Sequence, residues 1–166
     1  GRGRTQEEWK RAVAGLKEVG PYAEEMGVTI AVEAINRFET YFINTAADLG
    51  ALVAEVDHPA IRLMFDTFHA NIEEKSIYEA VKSCGQYLAH VHISENDRGV
   101  PGTGHIAWDE LRRGLQELGY DRWMTIESFG QAVPEIAAAA AIWRPLFVDN
   151  DEVASKGIAF LRSLAS

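Results

Sequence analysis

Four short, almost wholly apolar runs, residues 28–34, 61–66, 87–93 and 123–128, each carry a polar side chain at or near the C-terminal end: Glu33, Asp66, His92 and Glu127. Runs of this kind do not alternate, so they are not half-solvated strands. They have the pattern of parallel strands covered on both faces. Between them apolar residues recur every three or four positions, at Trp9, Val13 and Leu16, at Leu49, Leu52, Val53 and Val56, and at Trp108, Leu111, Leu115 and Leu118, which is helical spacing. Strand alternating with helix predicts an α/β fold with a parallel sheet. The expected order is one helix followed by four strand–helix units in a single domain over residues 1–166, the last unit ending in helical segments at 132–143 and 151–164.

The polar residues are separated by 33, 26 and 35 positions. An eight-unit barrel of ~250 residues spends about 31 per unit, so they recur once per unit at the C-terminal rim, where barrel active sites lie. Strand parity places Ala31, Thr29, Met64, Arg62, His90, Leu88, Thr125 and Trp123 on the same inner face and sends Val32, Phe65, Val91 and Ile126 toward the outer helices. Local signals agree. Thr5 with Glu8 and Ser76 with Glu79 fit capping boxes, and Gly27, Gly85 and Gly119 stand where helices should stop. Pro21 falls inside the first helix and predicts a kink there.

Three carboxylates and an imidazole facing one volume repel unless a cation joins them. Glu33, Asp66, His92 and Glu127 are therefore candidate ligands of one divalent metal, and an O,O,O,N set suits Mn²⁺ or Co²⁺, with Mg²⁺ a poorer match. His69, three residues after Asp66, is a further candidate. Arg37 and Glu95 read as solvated loop residues, His90 as an interior histidine one layer below His92, His58 and His105 as loop residues, and Cys84 as core packing. Gly102-Thr103-Gly104 lacks the glycine spacing of a phosphate cradle.

The balance of 16 Lys+Arg against 25 Asp+Glu, a formal charge of −9, argues against nucleic-acid and anionic-membrane partners. No apolar stretch approaches the roughly 20 residues of a membrane helix. One cysteine closes no intrachain disulfide, which points to a reducing, cytoplasmic setting.

The segments Val32-Glu33-Ala34-Ile35-Asn36-Arg37-Phe38-Glu39, Phe65-Asp66-Thr67-Phe68-His69 and His90-Val91-His92-Ile93-Ser94-Glu95-Asn96-Asp97-Arg98 resemble the D-tagatose 3-epimerase family, which includes the D-psicose (D-allulose) 3-epimerases. These are xylose-isomerase-like barrels. The stretches Pro101-Gly102-Thr103-Gly104-His105 and Ile126-Glu127-Ser128-Phe129 match too. The resemblance implies metal-dependent epimerisation of free ketoses at C3, with Glu33, Asp66, His92 and Glu127 as metal ligands and Glu39, His69 and Arg98 contacting the sugar. It also implies that this sequence corresponds to the C-terminal half of a (β/α)8 barrel. Inversion at C3 needs proton removal on one face and delivery on the other, roles that fall to Glu33 and Glu127.

The absent initiator Met and a start at Gly1-Arg2-Gly3-Arg4 suggest a fragment. The expected partner is then a second copy or the missing N-terminal half-barrel. Two rival readings stay open: an aldose–ketose or sugar-acid isomerase of the same superfamily, and an inactive half-barrel. The superfamily's endonucleases fit poorly, since they need a histidine-rich zinc site and a basic face, against 5 His and a charge of −9 here.

Overall fold

The computed structural model describes residues 1–165. Helix α1 (Gln6–Glu25) leads into β1 (Ile30–Glu33), α2 (Ala46–Val56), β2 (Ile61–Asp66), α3 (Thr67–Glu73) and α4 (Ile77–Cys84). A single 3₁₀ turn then enters β3 (Leu88–Ile93), followed by α5 (Trp108–Glu117), β4 (Met124–Ile126), α6 (Pro134–Ala139) and α7 (Asn150–Ala165). The strands form one sheet in the order β1-β2-β3-β4, every pair parallel. Consecutive strands lying side by side with helices between them is barrel-type winding.

The local signals act largely as the sequence predicts. Thr5 and Glu8 form the full capping box on α1. At α4 only half of the box forms. Ser76 accepts from the Glu79 backbone N–H, but the second carboxylate comes from Glu110 of α5, which accepts from the Ser76 hydroxyl at 2.8 Å and from the Tyr78 N–H at 3.0 Å. A remote acid thus ties two neighbouring helices together. Gly27, Gly85 and Gly119 all take positive φ at helix ends. Helix α1 is continuous through Pro21. Its buried residues Val13, Gly20 and Ala23 hold it in place, and Gly20 lies so close to the His58 ring that a Cβ there would come within 2.7 Å of it.

The core fills the space between the sheet and the helices. Ile61, Leu63, Phe65, Val91 and Ile93 point into it with Leu49, Leu52, Val53, Val81 and Leu111, all essentially buried. Cys84 belongs to this core, its thiol pushed up to about 12 by burial. The opposite face of the sheet is open. Met64, His90 and His92 are half-buried there and Thr125 is exposed. One assignment of face is corrected. A register shift at Leu63/Met64 pairs Leu63 with Leu88 and Met64 with His90, so Ala89 is bypassed and Leu88 turns into the helix-side core. A one-residue slip changes the face of every residue before it.

Candidate active site at the strand ends

Asp66 closes β2 and caps α3. Its Oδ1 accepts from the Phe68 and His69 N–H groups at 2.7 and 3.1 Å, which leaves Oδ2 turned to the open face of the sheet. Thr67 then ties the end of β2 to β3. Its hydroxyl donates to the Ser94 carbonyl at 2.7 Å and accepts from the Ser94 N–H at 2.8 Å. In register Asp66 lies opposite His92, while Glu33 lies opposite Met64 and Glu127 two residues beyond Thr125. Strand tilt in a barrel-type sheet converts this stagger into a shared level.

The four predicted ligands fall into two overlapping triplets that share Asp66, the second completed by His69, a predicted sugar contact. Asp66, His92 and Glu127 form one and Glu33, Asp66 and His69 the other, each with ligand atoms within 4.8 Å of one another. His92 Nδ1 lies 3.3 Å from Glu127 and 3.6 Å from Asp66. Neither contact has hydrogen-bond geometry, so this buried nitrogen and the buried Oε1 of Glu33 are without partners.

The charges press on one another. Burial, then Asp66 and Glu127, push the Glu33 carboxyl up to about 7. Asp66 and Glu127 raise His92 to about 10. Burial would raise Asp66, but the neighbouring His92 and the charge of Arg98 hold it below the usual carboxylate range. Burial lowers His69.

These shifts fix a sign for stability. Both raised groups bind protons more tightly in the fold than in the unfolded chain, so their contribution is lost as pH rises through the folded values. Glu33 acts between its ordinary value of 4.5 and about 7, and His92 between 6.5 and about 10. In metal-free buffer the Tm is therefore expected to fall steadily from pH 5 to 9. Glu33→Gln should flatten the part below pH 7, and added Mn²⁺ should raise the Tm more at pH 8 than at pH 6, because it competes with those protons. Scanning fluorimetry across this range checks all three expectations.

The sugar-contact candidates stand beside this cluster. Arg98, in the left-handed region at φ 67°, is buried. Its guanidinium lies 3.8 Å from the Phe68 ring centroid and 5.0 Å from that of Phe129. It donates to Glu127, to the Ser94 hydroxyl at 3.1 Å and to Asp66 at 3.4 Å. His69 is buried between Asn36 and Arg98, and the more exposed Glu39 accepts from the Asn36 amide at 2.7 Å. A cleft lined by Glu39, Phe68, Ile72, Arg98, Phe129 and Ile136 opens past them.

One position differs from the sequence reading. Glu95 is fully buried, not solvated, and accepts from the N–H groups of Asn96, Gly102 and Ile106 at 3.0, 2.8 and 3.3 Å. It staples the 102–106 loop to the turn that carries Arg98, and a carboxylate there also excludes phosphate. Gly104 passes so close that a Cβ at that position would lie 2.5 Å from Glu95 Oε1. Asn36 is nearly fully buried as well. Arg37 is exposed as expected, but it binds Glu73 through its backbone and guanidinium. Phe68, which the sequence offers only as part of a motif, stacks on Arg98.

A parallel βα sheet with its polar side chains gathered at the C-terminal strand ends defines a barrel-type enzyme rim. The chain belongs to the xylose isomerase-like TIM barrel family, whose model matches residues 1–164. It is 40% identical over 145 residues to the D-psicose 3-epimerase of Ruminiclostridium cellulolyticum, covering 87% of this chain and 50% of that one. It is 33% identical over 160 residues to the L-ribulose 3-epimerase of Methylomonas sp., covering 95% and 56%. A solved structure of D-psicose 3-epimerase with D-tagatose, from Clostridium cellulolyticum H10, superposes with a TM-score of 0.91 at 34% identity, covering 99% of this chain and 59% of that one. The chain thus spans about half the length of the curated relatives it matches. Among the described residues, no helix is long and apolar enough to cross a membrane.

Proposed function

We propose that this chain is the C-terminal, site-bearing half of a (β/α)8 ketose 3-epimerase. The remaining strands would come from the rest of a longer chain or from a second copy. The observation that carries this reading is the gathering of Asp66 with His92 and Glu127, and of Asp66 with Glu33, at four adjacent strand ends, in a chain whose curated relatives include ketose 3-epimerases. The donor set fits a divalent cation. Three carboxylates crowd one imidazole, and Glu33 Oε1 and His92 Nδ1 are buried without partners, where buried polar atoms ordinarily have them. The four residues would hold Mn²⁺ or Co²⁺, with Mg²⁺ a weaker candidate. When bound, the ion would supply Lewis acidity toward the ketose oxygens flanking the reacting carbon.

The side chains then divide the work. The C3 hydrogen of a ketose is acidified by the neighbouring C2 carbonyl, and inversion requires a base on each face. Glu33 ends β1 and Glu127 follows β4, the outermost strands of the sheet, with Asp66 and His92 between them. Glu33, with its carboxyl near neutrality and one oxygen free, is suited to accept a proton. Asp66 and His92 serve as ligands. Arg98, His69 and Glu39 orient the sugar, and the stacking of Arg98 between Phe68 and Phe129 fixes its plane.

Calorimetry with Mn²⁺ tests the metal site directly. Asp66→Ala should abolish measurable binding, whereas Arg98→Ala should leave affinity undiminished, since it removes a cation from beside Asp66 and Glu127. In the assembled barrel Arg98→Ala should cut ketose turnover at least tenfold, the scale of a lost charged hydrogen bond. Equal Mn²⁺ affinity in Asp66→Ala and the parent would overturn the site. Products in which a ketose becomes an aldose, with no C3 epimer, would favour the isomerase reading.

A further inference from the structure

We propose that Asn36 is a positioning residue that locks His69 in its Nε2–H tautomer, so that His69 meets the substrate as a hydrogen-bond donor and takes no part in holding a cation. The inference rests on the epimerase reading for the identity of the substrate, but the lock itself follows from the hydrogen bonds.

The orientation of the Asn36 amide is fixed at both ends. Its Nδ2 donates to Glu39 Oε1 at 2.7 Å, and its Oδ1 accepts from the Phe38 N–H at 2.9 Å. A carboxylate accepts and a backbone N–H donates, so the amide cannot be flipped. The same Nδ2 lies 2.9 Å from His69 Nδ1, and the Asn36 backbone N–H donates to that atom at 3.2 Å. Two donors therefore face Nδ1, which must carry the lone pair. A proton there, in the other tautomer or in the imidazolium, would set it against both.

The single proton of the neutral ring is then on Nε2. Arg98 Nη2 lies 3.2 Å from Nε2, and both atoms are donors, so each lacks an acceptor in the other. They converge on one volume beside Glu33 Oε1, which at 3.9 Å from Nε2 stands beyond hydrogen-bond reach, and the acceptor that would satisfy both is an oxygen of the bound sugar. Metal coordination by Nε2 would require its lone pair, which the lock removes. The Glu33–Asp66–His69 triplet, although within 4.8 Å, is therefore not a second cation site. Asn36 couples the Glu39 and His69 contacts through one buried amide, and so deepens the substrate end of the proposed site.

The test is a long-range ¹H–¹⁵N spectrum of the ¹⁵N-histidine-labelled chain, with His69→Gln identifying the His69 signals among the 5 His. The expected ring has a bare Nδ1 and a protonated Nε2, and saturating Zn²⁺ leaves both unchanged while the His92 signals move. Asn36→Asp, whose side chain offers Nδ1 acceptors in place of the amide donor while the backbone N–H remains, should shift His69 part of the way toward the Nδ1–H form. In the assembled barrel it should raise KM for D-fructose about tenfold, the equivalent of one hydrogen bond. Asn36→Ala keeps the backbone donor and should retain the tautomer with a smaller rise in KM. An Nδ1–H ring in the wild type, or loss of the Nε2 proton on adding Zn²⁺, overturns the proposal, and neither result depends on an Asn36 variant folding. Absence of ketose turnover in the assembled barrel would sink the epimerase reading while an Nε2–H ring indifferent to Zn²⁺ still supports the lock.

Discussion

Glu33→Gln and Glu127→Gln will each lower C3 epimerisation in the assembled barrel by more than the ~10²-fold expected of a single acid/base group, while the protein still binds Mn²⁺. Gln is the informative substitution because it keeps an oxygen for the ion but cannot take a proton, whereas Ala would remove a ligand and a base together. The two variants should also fail in complementary ways. With one base gone, the survivor can still remove the C3 proton of the epimer that presents it and return a solvent proton to the same face. In D₂O, Glu33→Gln should therefore wash deuterium into C3 of one epimer without inverting it, and Glu127→Gln into the other. General loss of structure would produce no such split. Near-normal epimerisation by either variant with metal bound would falsify its role.

The placing of these residues at the strand ends was legible in the sequence because it depends on short-range facts. A polar side chain at the end of an apolar run has few places to go, and four of them spaced once per βα unit converge by topology alone. Strand β2 begins and ends where the apolar run does. The outer strands are shorter than their runs, Ile30–Glu33 within 28–34 and Met124–Ile126 within 123–128, because each has a strand neighbour on one side only.

What the sequence hid is relational. The slip that turns Leu88 into the core leaves no trace in composition, since leucine suits either face. Glu95 looks solvated because its partners are backbone N–H groups of a loop up to 11 residues away, and any sequence can supply an N–H. Glu110 completes the cap of a helix 34 residues before it. The Asn36–His69 pair, 33 positions apart, is similarly invisible until β1 and α3 are placed side by side. Local rules specify the ends of elements, and contacts between units decide which polar groups are buried.

The 166-residue chain on its own is expected to associate in solution and to show little or no epimerase activity. Its sheet is covered on one face by helices, while on the other Met64, His90 and His92 are half-buried and Thr125 is exposed. At the foot of that face Trp123 is 81% exposed, an apolar surface that a soluble protein ordinarily covers. Strands β1 and β4 each have one hydrogen-bonded neighbour, so each leaves a row of backbone donors and acceptors free. In a closed barrel each interior layer takes its side chains from alternate strands around the full circle, so four strands fill about half of each layer. Two copies related by a two-fold axis would pair β1 of one with β4 of the other and cover both open faces at once. A further four strands from a longer chain would do the same and would also wall in the far end of the sugar. Light scattering across 1–100 µM should give a mass above that of the 18.4 kDa monomer, with turnover restored when the remaining strands are supplied. A monomer that melts cooperatively and epimerises a ketose would show instead that this open sheet, with Glu33, Asp66, His92 and Glu127 at its edge, is sufficient by itself.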